Sequence, residues 1–140
     1  MKTLLTPHLI IFALIATLLA VLFRYFLSYG IEHQSTATVI LSAVSYALGM
    51  FASGWHLGSK DSAYLPILDV GFRFHLTTYL THNGVSLLWF ALGLNSGYES
   101  VTVVHMTAGI WSVILILHFV CFLWARKHSI KGLDKHNLFE

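Results

Sequence analysis

The chain has 140 residues, of which 56% are hydrophobic and 10% are charged. Soluble domains average about 25% charged residues, so this composition excludes a small water-soluble domain and indicates a membrane protein. The formal net charge of +2 is too small to indicate a nucleic acid partner, and the single cysteine, Cys121, excludes an internal disulfide.

Four runs free of Asp, Glu, Lys and Arg follow one another, at 3–23, 33–59, 74–98 and 100–125. A helix that crosses the hydrocarbon of a bilayer needs about 20 apolar residues, which each run can supply. The sequence therefore predicts an all-α integral membrane protein with a single membrane domain over 1–140, folded as an antiparallel four-transmembrane-helix bundle. The helix cores are expected near 8–28, 37–57, 74–95 and 101–125.

The basic residues predict the orientation. If the N-terminus is inside, all but one of the 8 Lys and Arg residues fall on the inner side, namely Lys2, Lys60, Arg73, Arg126, Lys127, Lys131 and Lys135. Only Arg24 falls outside, where its side chain can snorkel to the headgroups or contact an anion. This positive-inside pattern predicts that both termini are cytoplasmic, with a cytoplasmic tail over 126–140, in a multi-pass protein of the bacterial plasma (inner) membrane.

Small residues predict where the first two helices touch their neighbours. The first helix carries one stripe of small residues that ends in a charge, at Ala13, Thr17, Ala20 and Arg24. The second helix carries a small-xxx-small series at Ser45, Gly49 and Ser53. Such series occur where the backbones of membrane helices approach closely.

The connection between the second and third helices is predicted to be a cytoplasmic interfacial loop over 58–73. Its segment 63–68 is too apolar for a plain linker and too short to span, so it is expected to be interfacial or re-entrant, turned by Pro66. Asp69 and Arg73 are four residues apart and could form a pair if this piece is helical.

The third helix carries polar side chains inside an otherwise apolar sequence. Two imidazoles and two hydroxyls recur at helical spacing, at His75, Thr78, His82 and Ser86. At 100° per residue His75 and His82 lie about 20° apart around the helix. One face of one helix is therefore polar within an apolar sequence, and the rest of the chain is expected to bury it.

Histidines of the other helices are expected to approach this face. His118 of the fourth helix is predicted to lie at a depth similar to that of His82, because they lie about seven and about nine residues in from the cytoplasmic ends of their helices. His8 and His56 are expected in the same cytoplasmic half, whereas His105 lies in the outer half. His105 and His118 lie about 140° apart around the fourth helix, so they should not share a site.

Three functions compete on this evidence. The first is binding of haem b between His82 and His118 for electron transfer within the membrane, with His75 as an alternative ligand or a contact to a haem propionate. The second is a small transporter or proton-conducting protein, because intramembrane ionisable groups often mark such pathways. The third is a non-catalytic accessory or assembly subunit whose histidines and hydroxyls bond across helices.

No motif in the sequence indicates a particular reaction. It contains no Walker loop, no dinucleotide-binding glycine motif and no His-Glu-x-x-His, so whether the protein is an enzyme stays open. A chain of this length has little interior to spare. A haem site or a pore is therefore expected to need a larger membrane complex or a homodimer to complete its walls. In either case the chain is expected to lie in the lipid bilayer.

Overall fold

The computed structural model describes residues 5–63, 65 and 67–129, with side chains for all of these except 67, 68 and 125–129. This part of the chain is all-helical. It forms four helices, α1 (Pro7–Glu32), α2 (Thr36–Ser62), α3 (Ile67–Ala91) and α4 (Val101–Ser129). Three segments are long and apolar enough to cross a membrane, namely α1, α2 and Val101–Trp124 of α4. With 25 residues α3 is also long enough to cross a membrane, but its histidines, threonines and Asn83 make it less apolar than these three segments.

Local chemistry explains where the first two helices begin. The Thr6 hydroxyl accepts a hydrogen bond from the backbone N–H of Leu9, and Pro7 occupies the first helical position, where no backbone donor is needed. Ser35 caps α2 in the same way by accepting from the N–H of Thr38. Between the helices Gln34 adopts a φ of 50°, so the chain reverses over very few residues.

α1 and α2 pack closely and run in opposite directions. A Cβ at Gly54 would meet the ring of Phe12, and one at Gly49 would lie 3.1 Å from the Leu19 side chain. At the far end of the pair, a Cβ at Gly30 would lie 3.0 Å from Val39. Glycines of both helices therefore face the partner helix, which permits the close backbone approach that small residues allow in membranes.

α3 is the central helix of the described structure. It packs against α1, α2 and α4, whereas α4 packs, within the part of the chain that the structure describes, against α3 alone. The Phe12 and Phe74 rings lie 4.7 Å apart, and they belong to a core cluster of α1, α2 and α3 that also includes Leu9, Ala16, Leu57 and Val70. This cluster lies at the end of the molecule that contains the start of α1 and the end of α2, called here the Asp61 end.

The connection between α2 and α3 is much shorter than the predicted loop over 58–73. α2 continues to Ser62 and α3 begins at Ile67. Lys60 and Asp61 do not end α2, because the Asp61 carboxylate is satisfied by Thr6 and His8 of α1. Arg73 donates to Asp69 one turn earlier, which supports an early start of α3. Pro66, the expected turn of a re-entrant segment, lies outside the described residues.

The other helix ends also differ from the predicted cores. α3 ends at Ala91 because Gly93 adopts a φ of 67° and the chain closes a Schellman motif. In that motif the N–H of Gly93 donates to Phe90 O and the N–H of Leu94 donates to Trp89 O. α4 extends to Ser129, into the region expected to be a tail, and the remaining tail residues 130–140 lie outside the described residues.

Candidate functional site

His75 lies at the centre of a hydrogen-bonded series between α3 and α4. The indole Nε1 of Trp111 donates to His75 Nε2 over 2.6 Å, and His75 Nδ1 lies 3.1 Å from His118 Nδ1. An indole can only donate, so His75 Nε2 must be the acceptor and the proton of the neutral ring must be on Nδ1. His75 Nδ1 therefore donates to His118 Nδ1, and the proton of a neutral His118 is assigned to Nε2.

His118 lies close to the backbone of α3. A Cβ on Gly71 would lie 3.6 Å from both Cε1 and Nε2 of His118, an ordinary contact distance, so the imidazole packs beside the backbone of α3 at Gly71. The ring of Phe72 meets His118 edge-on, with centroids 6.0 Å apart, and packs against Phe119 and Phe122 of α4. The environment of His118 is thus made of α3 and the apolar rings of the same hairpin.

His82 faces a different set of neighbours. Its Nδ1 lies 3.0 Å from the hydroxyl of Tyr46 on α2, and its ring centroid lies 5.5 Å from that of Trp111 on α4. Phe23 of α1 stacks on Tyr46 and approaches His82 at 5.9 Å. His82 therefore lies where α3 meets all three of the other helices.

The structure brings His75 and His118 together but places His82 elsewhere. His118 is opposite His75, and Trp111 is in contact with His82, which puts the two sites seven residues apart on both helices. At 1.5 Å per residue this is about 10 Å along the helix axis. A haem bound by His82 and His118 would require α4 to slide by about two turns, so these residues as arranged do not fit a common haem plane.

Two further features concern cofactor binding. No group of three or more His, Cys, Asp and Glu side chains that could hold a metal ion occurs in the part of the chain that the structure describes. A cleft of about 410 Å³ lies between α1 and α2, with walls that include Leu19, Phe26 and Leu41 but no histidine. His82 reaches this cleft only indirectly, through its neighbours Tyr46 and Phe23, which line it, and haem binding stays a prediction.

The hydrogen-bonded series of Trp111, His75 and His118 also limits which residues could carry a proton along a pathway. Imidazole can accept a proton on one nitrogen while it releases another, so His75 and His118 can exchange a proton between them. Trp111 can donate but has no acceptor nitrogen. Trp111 contacts both His75 and His82, but it cannot relay protons from one to the other.

A buried ion pair was not predicted from the sequence. Arg24 Nη2 lies 2.5 Å from Glu99 Oε2, both side chains are 6% exposed, and the guanidinium lies over the Phe90 ring at 5.2 Å. Neither the predicted snorkelling nor an anionic ligand is needed to account for Arg24. A signal was present in the four-residue spacing of Ala16, Ala20, Arg24 and Ser28, all of which are buried, whereas Thr17 of the predicted stripe is exposed.

A second buried acid, Asp61, forms contacts with the opposite end of α1. Asp61 of α2 accepts a hydrogen bond from the Thr6 hydroxyl, and its other oxygen lies 2.8 Å from His8 Nδ1. The Asp61 side chain is 6% exposed and that of His8 is 33% exposed. The partners are more than fifty residues apart in the chain, so no local pattern could have indicated the contact.

Comparison of the chain with models of protein families, with curated proteins and with solved structures found no match.

Proposed function

We propose that the chain is a non-catalytic helical subunit of the bacterial plasma membrane, in which α3 is a fourth spanning helix that links the other three. The observation that supports this proposal is how α3 uses its polar side chains. Trp89 donates to Ser28 of α1 over 3.0 Å, His82 bonds Tyr46 of α2, and Tyr79 bonds Ser112 of α4 over 2.7 Å. Each neighbouring helix is thus reached by at least one polar group of α3.

The membrane environment explains why this arrangement would be favoured. A polar atom without a partner in hydrocarbon costs several kcal/mol, on the order of 2–7 by transfer data. Polar side chains are therefore best placed on the helix with the most protein neighbours and the least contact with lipid. α3 has neighbours in α1, α2 and α4, which accounts for its lower apolarity and supports its place as a spanning helix.

The distribution of basic residues supports an orientation with both termini in the cytoplasm. Lys60 and Arg73 lie at the Asp61 end, the same end as the start of α1. Arg24, the exception in the positive-inside pattern, is neutralised by Glu99. With α3 as a span, the helices would alternate in direction and form the antiparallel bundle expected from the sequence.

The histidines favour a subunit over a haem protein. Both nitrogens of His75 and one nitrogen each of His82 and His118 take part in hydrogen bonds between helices. Haem ligation by His82 and His118 would require α4 to move and would break the contacts that hold it. α4 has no second helix to hold it among the described elements, so its outer surface is open to lipid or to a partner subunit.

The test begins with an absorption spectrum of the protein purified in mild detergent after expression with ample haem supply. We expect a folded, colourless protein. A Soret band that shifts on dithionite reduction and is lost in both His82→Ala and His118→Ala, but not in His105→Ala or His33→Ala, would contradict the proposal in favour of haem.

Partner contact is tested by a photo-crosslinking residue placed at Ile114 on the exposed surface of α4, with Leu14 on α1 as the matched position. We expect Ile114 to give a product with another membrane protein, or one of twice the mass of the chain. Equal labelling of lipid alone at both positions would contradict a subunit role.

Reporter fusions at the tail and at Ser96 should report opposite sides of the membrane, as four spans require.

A further inference from the structure

A cavity of about 260 Å³ lies at the end of the molecule opposite the Asp61 end. This end, called here the Glu32 end, contains the turn between α1 and α2 and the turn between α3 and α4. Its lining includes three aromatic side chains, one carboxylate, one imidazole and one hydroxyl, at Tyr25, Tyr29, Trp89, Glu32, His33 and Ser96. The proposed subunit role uses the Trp89–Ser28 bond in one wall but assigns nothing to the space itself.

Glu32 is held in place without a cationic partner. Its Oε2 accepts hydrogen bonds from the hydroxyl of Ser96 over 2.5 Å and from the N–H of Gly97 over 3.3 Å. These bonds fix the carboxylate but leave its charge uncompensated. Among the described residues, Arg24 is the only Lys or Arg of this end, but it is paired with Glu99, and no ion pair includes Glu32.

The aromatic walls are available to a ligand. Tyr25 is 56% exposed and Tyr29 is 49% exposed, so neither ring is buried in the core. Trp89 is fixed by its bond to Ser28, which satisfies its only polar atom and leaves the π face of the indole chemically free. His33 stacks on Tyr29 with centroids 4.1 Å apart and steadies that ring.

These groups together define the chemistry of the ligand. The faces of aromatic rings are electronegative and attract cations, most effectively cations with apolar substituents that lose little hydration. A carboxylate adds charge attraction and repels anions. Hard metal ions are held mainly by several carboxylate and carbonyl oxygens, whereas this cavity has a single carboxylate. We propose that this cavity binds an organic ammonium group, either of a soluble amine or of a lipid headgroup.

The full-length protein is tested in nanodiscs of phosphatidylglycerol, a lipid without an amine, by equilibrium dialysis with labelled choline. We expect saturable binding that 3,3-dimethyl-1-butanol, the uncharged analogue of the same shape, does not displace. Absence of saturable binding up to millimolar choline, or equal displacement by the uncharged analogue, would overturn the proposal.

Variants identify the site. Glu32→Gln keeps an acceptor for Ser96 but removes the charge, and should weaken choline binding by about tenfold. Tyr25→Leu and Tyr29→Leu should each weaken it by about threefold, whereas Tyr25→Phe keeps the ring and the affinity. Tyr98→Leu, at an exposed position of the same end, is the control. Unchanged affinity in a folded Glu32→Gln protein, shown by an unchanged melting temperature, would overturn the proposal.

A second set of nanodiscs separates the two sources of the ammonium group. If phosphatidylethanolamine in the disc lowers the apparent affinity for choline in proportion to its fraction, the headgroup competes for the cavity and the natural ligand is a lipid. If it leaves the affinity unchanged, the ligand is a soluble amine. Either result agrees with an ammonium site, and both differ from the outcome in which choline does not bind at all.

Discussion

The interface between α1 and α2 and the interface between α3 and α4 hold their helices by different means. In the first, a Cβ at Gly49 would lie 3.1 Å from Leu19 and one at Gly54 would meet Phe12, so glycines of α2 pack directly against side chains of α1. In the second, Trp111 and His118 bond His75, and Tyr79 bonds Ser112. Close packing dominates one pair of helices and directional polar bonds dominate the other.

The difference follows from the number of neighbours that each helix has. α1 packs against both α2 and α3, so dispersion contacts over two surfaces can stabilise it. Among the described residues α4 packs against α3 alone, and none of the apolar stretch Val101–Trp124 is buried. With so little buried surface, packing alone would let α4 slide or rotate along α3. Hydrogen bonds at defined positions fix its register.

The largest effect is expected at the link between the two regions, the pair of Arg24 in α1 and Glu99 before α4. Glu99→Ala should cost about 3–5 kcal/mol of unfolding free energy, because it leaves a buried guanidinium without its partner. Unfolding in sodium dodecyl sulfate followed by circular dichroism measures the change. The double variant Arg24→Met with Glu99→Leu should recover most of the loss, and Tyr98→Ala in the same turn should have little effect. If Glu99→Ala lowers the free energy of unfolding no more than Tyr98→Ala does, the buried pair of Arg24 and Glu99 does not contribute to stability.

The close-packed interface is tested next, at Gly49. Gly49→Leu should cost about 1–3 kcal/mol because a Cβ at this position would already lie 3.1 Å from Leu19. Leu19→Ala in the same chain should restore part of the stability by making room. Leu48→Ile, at a 64% exposed neighbouring position, is the control in the same unfolding assay. Equal stability of the Gly49 and Leu48 variants would contradict a close α1–α2 contact.

The polar interface should show the smallest effect per contact. A double-mutant cycle of Tyr79→Phe and Ser112→Ala should give a coupling energy of about 0.6 kcal/mol, the average for such bonds in membrane proteins. The loss should loosen α4 while α1 and α2 stay packed, which hydrogen exchange of the α4 amides can detect. Faster exchange in α2 than in α4 would show that the two interfaces are not independent.

The sequence predicts some of these features well, and others only weakly. The polar face of α3 could be predicted because His75 and His82 recur at helical spacing within apolar residues. The depth of His118 relative to His82 could not, because the register of two antiparallel helices depends on side chains that interlock across the pair. The Schellman turn at Gly93 and the His75–His118 contact set this register, and only the three-dimensional packing combines them.

The ends of helices that lie near charged residues were also difficult to predict from the sequence. Lys60 and Asp61 were expected to leave the membrane and start a loop, which is the ordinary behaviour of charges at the end of an apolar run. Asp61 instead remains in α2 because Thr6 and His8 satisfy it from α1. A partner so distant in the chain changes the cost of burying the charge, and such a partner cannot be inferred from local composition.

The polarity of α3 has a consequence for biosynthesis. The translocon sorts each emerging segment by its own apolarity, and α1, α2 and α4 are apolar enough to enter the lipid unaided. A spanning α3 would emerge after α1 and α2 and could bond Ser28 and Tyr46 before α4 is made. Its integration would then be a cooperative step that depends on the two helices already in place, and α4 would join a three-helix unit that has already assembled.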